Sequence, residues 1–131
     1  MFQGAGLQHR YLDATRRTGS ARDIEYQLFS SITGRMNRAS RPDAAFPDLV
    51  SALNENTALW REIALDVIDD NNGLPPMLRA QLFYLYEFTA SHTRKVLQRE
   101  ADASALIDIN TAIMKGLRQH ISGKGTDQCP A

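Results

Sequence analysis

A chain of 131 residues, 43% of them hydrophobic, is one domain's worth and long enough to bury a core without staples. Fifteen basic side chains balance fifteen acidic ones, so no global field draws the protein toward nucleic acid or an anionic membrane. The single cysteine, Cys129, excludes an internal disulfide and fits a reducing compartment.

Along 1–17, Leu7, Tyr11 and Ala14 follow at spacings of four and three, which predicts a weak amphipathic helix closed by Thr18-Gly19. This stretch holds no apolar run leading to a cleavage-type signal, and nowhere does the chain approach the roughly 20 apolar residues that span a bilayer. A soluble, cytoplasmic protein is therefore expected. Ser20 and Asp23 form a capping-box pair at the start of a second helix. Ile24, Leu28, Ile32 and Met36 repeat at intervals of four within it, Phe29 lies beside them, and the pattern runs to about Arg38.

Ala39-Ser40-Arg41-Pro42 reads as a loop. Pro47 suits the first turn of a third helix, where its missing amide costs nothing. Leu49, Val50, Leu53, Trp60, Ile63, Ala64, Val67 and Ile68 continue as a heptad-like stripe over about six turns. The break Asn71-Asn72-Gly73-Leu74-Pro75-Pro76 is the clearest punctuation in the chain, with Asn72 or Gly73 expected in the positive-φ closing position.

The helix predicted over 75–99 is different in kind. In Leu82-Phe83-Tyr84-Leu85-Tyr86-Glu87-Phe88 the apolar residues point in nearly every direction, the pattern of a helix that is central or that covers two surfaces at once. After a joint at 101–103, Asp102 or Ser104 caps a last helix with Leu106, Ile109 or Ile113, and Leu117 facing inward. Gly116 suggests a close backbone approach there, and 122–131 read as a mobile polar tail. The expected architecture is all-α: a compact bundle of about five helices over 1–121, with the 75–99 helix as the best candidate for its centre.

Tests for chemistry fail one after another. His9, His92 and His120 have no partner histidine three or four positions away, so a helical zinc site is absent. Counting back from Gly73 puts Ile68 where a calcium loop needs its first oxygen ligand. Around Gly123-Lys124-Gly125, a phosphate loop would need glycine at Arg118 and a hydroxyl residue at Gly125. No nucleophile elbow exists. No catalytic residue, metal or cofactor is assigned, and a non-enzymatic role is expected. What remains is the group Phe83, Tyr84, Tyr86 and Phe88. At least two of these are expected in the core, and the rest form a patch for another protein's helix.

The order Asn56-x-x-Leu59-Trp60, then Asn72-x-Leu74-Pro75-x-x-Leu78-Arg79, then His92-Thr93, then Leu106-Ile107-x-Ile109-Asn110 with Gly116-Leu117, resembles the FlaF family of alphaproteobacterial flagellar regulators. Tyr11 and the run from Ser20 to Glu25 agree with the same resemblance, which covers about 11–118. Thr57 and Ala58 stand where that family often carries arginines, and Asn110-Thr111-Ala112-Ile113 departs from its usual Asn-Arg-Asn-Ile. The resemblance implies a flagellin chaperone or secretion factor acting alongside FlbT. Flagellin would rest on Phe83, Tyr84, Tyr86 and Phe88 with Trp60 nearby. Two other readings stand beside it: direct RNA binding through arginine clusters such as Arg35, Arg38 and Arg41, and a homodimer that covers its own apolar face.

Overall fold

The computed structural model describes the backbone of residues 21–122 and the side chains of 26–117. It contains four helices: α1 (Ala21–Ala39), α2 (Phe46–Val67), α3 (Pro76–Leu97) and α4 (Ser104–Ser122). The described residues include no strand. The all-α expectation therefore holds, and the four helices of the described residues are the second to fifth of those predicted. The helix predicted over 1–17, the Ser20–Asp23 capping pair and the tail beyond Ser122 lie outside the described residues.

Short connections force neighbouring helices antiparallel. Packing runs α1 to α2, α2 to α3 and α4 back to α1; α3 and α4 approach each other only lightly, and the backbones of α1 and α3 do not come close. Two apolar clusters fill the interior. At one end Met36, Ala52, Leu53, Val96 and Leu106 pack together, so every helix contributes. At the other, Phe29, Ile32, Leu59 and Trp60 pack around the indole, with the rings of Phe29 and Trp60 edge to face and their centroids 5.8 Å apart. Trp60, Leu53 and Met36 are completely buried.

The centre is α2, not α3. Eight α2 residues are buried, including Leu53, Asn56, Leu59 and Trp60, whereas α3 buries only Thr89, Thr93 and Val96. The apolar residues spread around α3 thus mark a helix apolar on its outer side as well as its inner one. Heptad periodicity located the α2 stripe correctly except at its end, where Ile68 is 57% exposed.

Side chains close α2 instead of a left-handed residue. Neither Asn72 nor Gly73 has positive φ. Arg79 Nε donates to the Val67 carbonyl at 2.8 Å and its Nη2 to Asp69 O at 3.1 Å. Asn72 Nδ2 donates to Asp66 O at 3.0 Å, while Asn72 Oδ1 accepts from the Leu74 amide at 2.9 Å. These donors reach carbonyls that a helix end leaves unpaired.

The left-handed residue instead follows α3. Arg99 has φ 62°, with the Glu100 amide on Lys95 O (2.8 Å) and the Arg99 amide on Val96 O (2.9 Å), a Schellman closure. Its guanidinium lies 4.2 Å from the Phe46 ring centroid, a cation–π contact that offsets part of the roughly 1 kcal/mol cost of placing a side chain in that conformation. Asp102 then opens α4, accepting from the Ser104 amide (3.0 Å) and hydroxyl (2.7 Å). Those two bonds hold its carboxyl below the usual range.

Candidate functional site

The sequence motifs separate into two groups once placed in the fold. Asn56, Trp60 and Asn110, fifty or more positions apart in two pairs, meet between the apolar clusters. Trp60 Nε1–H donates to Asn110 Oδ1 at 2.9 Å. Asn110 Nδ2 donates to Asn56 Oδ1 at 2.8 Å and to Thr33 Oγ1 at 3.0 Å. Asn56 and Asn110 have no exposed surface. One amide thus ties α4 to α1 and α2, and its bonds replace water that every one of these groups has lost.

Trp60 is therefore a core anchor with no surface to offer a partner, which removes it from the docking residues expected of it. Leu59 sits in the same cluster. Thr33 escaped sequence reasoning because a lone threonine on an amphipathic helix gives no sign of its partner. Asn56 Nδ2 and the hydroxyls of Thr89 and Thr93 are buried without hydrogen-bond partners, so the middle of the bundle is polar on its α3 side too.

Other motif residues also act within the fold. Arg79 and Asn72 cap α2 as described, Leu74 is held in the turn, and Pro75 supplies the first carbonyl of α3, accepting from the Arg79 amide at 3.0 Å. His92 stacks on Phe88 with centroids 5.4 Å apart, and its Nε2–H donates to the Asp102 carbonyl at 2.9 Å. It pins α3 to the joint before α4. Ile109 packs half-buried on the Trp60 cluster. Gly116 does not mark a close approach: it is exposed, with no atom within 4 Å of where a Cβ would stand. It borders a shallow depression of about 470 Å³ over Asp108, Thr111, Ala112 and Lys115.

The aromatic residues of α3 are distributed differently from expectation. None of the four is fully buried. Tyr86 packs against the Trp60 cluster and lies 5.8 Å, centroid to centroid, from half-buried Phe83. Phe88 is half-buried, and Tyr84 is 64% exposed. Met77, Tyr84 and Phe88 follow at i, i+7 and i+11, so they share one helix face. Met77 is 75% exposed, and Leu78 beside it is 39% exposed. Contiguous exposed apolar side chains of this kind mark a candidate contact surface.

Two acidic groups on α2 have raised pKa values. Glu62, buried with Oε1 unpartnered, is raised chiefly by desolvation, which the nearby Arg61 charge opposes. Asp66 is raised by desolvation against the opposing Asn72 bond. The neighbouring Asp69 charge also raises Asp66, but among the described residues no cluster of ligating side chains suits a metal ion. No described helix is long and apolar enough to cross a membrane. The chemistry on offer is apolar contact along α3.

Comparison with known proteins agrees with the motif order. The model of a family described as flagellar protein FlaF matches residues 7–117. No curated protein and no solved structure matches the chain.

Proposed function

This chain belongs to the FlaF family of flagellar proteins, and we propose that it works without catalysis, in the cytoplasm, as a flagellin-binding factor that assists flagellin synthesis or export together with FlbT. One observation carries the flagellin part: the outer face of α3 presents Met77, Tyr84 and Phe88 at helical spacing, with Met77 and Tyr84 mostly in water. Unassembled flagellin has helical ends that need shielding, and a helix laid on such a face buries both surfaces. Tyrosine suits the place because its ring is covered while its hydroxyl stays wet. Trp60 acts at a distance, by fixing α2, on which α3 rests.

Co-purification with flagellin from co-expressing cells, with and without FlbT, tests the reading. Tyr84→Ala is the informative variant, since Tyr84 adds little to the core. The complex is expected to fall at least tenfold while helicity and melting temperature are unchanged. Capture unaffected by this variant rejects α3 as the site, and no capture by the unaltered protein rejects the function. The RNA-binding reading predicts the opposite salt response: its affinity collapses with added salt, whereas an apolar complex changes little.

A further inference from the structure

Apolar cover fails at one end of the bundle even on its core side. Along α3, Leu78, Leu82, Thr89, Thr93 and Val96 follow at spacings of four, seven, four and three, so they share one face. Thr89, Thr93 and Val96 are buried, Leu82 is half-buried and Leu78 is exposed. Along α4 the stripe of Leu106, Asn110, Ile113 and Leu117 changes in the same direction, from two buried residues to two half-buried ones. The inner faces of both helices thus come out of cover where α3 begins and α4 nears its end. That is also where α1 starts. Phe29 meets Trp60, Arg35 pairs with Glu55, and Met36 packs beside Leu53. The same register carried back sets Ala21 level with Ile68, one position past the end of α2. The bond from Arg79 to the Val67 carbonyl sets the first turn of α3 at that level too.

The twenty residues ahead of Ala21 therefore enter the fold beside this opening. Their sequence supplies a matching surface: Leu7, Tyr11 and Ala14 fall on one face of the helix predicted over 1–17. The family match takes in this stretch from residue 7 onward. Thr18-Gly19-Ser20 spans at most about 10 Å, the distance between the axes of neighbouring packed helices. We propose that residues 7–17 turn back as a helix and lay Leu7, Tyr11 and Ala14 over Leu78, Leu82, Ile113 and Leu117, closing this end of the bundle from the core side. Such a helix is about 16 Å long, enough to cross from α3 to α4. The outer face of α3 stays free, because Met77 and Tyr84 lie on another side of that helix from Leu78 and Leu82. The inference goes beyond the flagellin reading and does not rest on it.

The test is read in the full chain carrying Cys129→Ser, with a nitroxide attached at His9→Cys. His9 is two positions after Leu7, so it stands on the opposite side of the segment's helix. Methionine methyl signals report the segment's position. Met77 lies at the open end, and Met36 lies level with Val96, about 28 Å further along the bundle. The nitroxide is expected to relax the Met77 methyl at least about fivefold more than the Met36 methyl, given that separation. Leu7→Asp combined with Tyr11→Asp is expected to cut the effect at Met77 at least about threefold, since a carboxylate resists burial against leucine. Leu78→Asp, at a side chain already partly in water, should do the same. Leu97→Asp, exposed at the far end of α3, serves as the control and leaves the effect unchanged.

Relaxation of Met77 that is the same with and without Leu7→Asp and Tyr11→Asp overturns the inference, because a chain tethered at Ala21 and seated nowhere gives that result. Relaxation of Met36 equal to that of Met77 overturns it too. A nitroxide on one copy that relaxes the Met77 methyl of a second, unlabelled copy assigns the cover to another molecule of this chain. Relaxation of Met77 that sets in only after flagellin is added assigns the ordering of the segment to the partner. Either result rejects an internal cover. Failure here is separable from failure of the flagellin reading. Tyr84→Ala is expected to lower flagellin capture without altering the relaxation of Met77. Loss of both with Tyr84→Ala places the segment on the outer face of α3 and overturns the inference.

Discussion

At one end of the bundle, Met36, Leu53, Val96 and Leu106 are each at most 3% exposed and come one from each helix. At the other end, Phe29, Ile32, Leu59 and Trp60 come only from α1 and α2, and α3 and α4 reach them through half-buried Leu82, Leu85, Tyr86, Ile109 and Ile113. The halves of α3 follow this division. Its second half buries Thr89, Thr93 and Val96, while its first half leaves Met77, Leu78 and Tyr84 in water. The closed end supplies stability and the open end supplies surface. The hydrogen-bonded layer at Thr33, Asn56 and Asn110 lies between them and holds both ends in one register.

Four tests sharpen or break this comparison. The largest effect is expected at the layer itself. Asn110→Ala strands the Trp60 N–H and the Asn56 carbonyl in the interior and should cost about 3–5 kcal/mol, read from urea unfolding. Leu53→Ala at the closed end should cost about 3–4 kcal/mol, whereas Leu82→Ala at the open end should cost about half as much or less. Equal costs at the two ends would remove the distinction.

A threonine pair comes next. Thr33→Val removes an acceptor from Asn110 and should cost about 1–2 kcal/mol, whereas Thr93→Val deletes an unpartnered buried hydroxyl and should be neutral or stabilising by up to about 1 kcal/mol. Loss of stability at both positions would show that the α3 side of the layer is satisfied after all.

The smallest effect concerns pH. Burial raises the Glu62 carboxyl above its ordinary value of 4.5, so the folded state holds that proton more tightly than the unfolded chain does. Its contribution is present below pH 4.5, shrinks as pH rises through the raised folded value, and is constant beyond it. Glu62→Gln should therefore flatten the decline in stability that sets in above pH 4.5 and leave the variant slightly more stable than the parent at neutral pH, read from urea unfolding. A decline as steep in the variant as in the parent protein would assign it to other groups, Asp66 first among them.

Much of the fold was legible beforehand. Spacing of Leu53, Trp60, Ala64 and Val67 located α2, the Asn71–Pro76 break ended it, and Asp102 was in place to open α4. Closure of α2 was misread, because Arg79 looks like any charged residue on a new helix until the turn folds back and sets it beside the Val67 carbonyl. Gly116 was misread for the opposite reason: glycine permits close packing without requiring it. The aromatic group on α3 was visible, but not which of its members stay outside.

Periodicity and punctuation are local properties, set by the period of the helix and by residues that stop it, so the chain alone determined that the protein is helical, where three of its helices begin and end, and which family its motifs resemble. Orientation of those helices depends on volumes and hydrogen bonds between residues far apart in sequence. Only the tertiary structure decided that Trp60 faces Asn110, that α2 takes the centre, and that α3 turns Tyr84 to solvent. An all-round apolar helix has no preferred inward side of its own. Its neighbours choose one, and what they leave uncovered is the surface open to a partner.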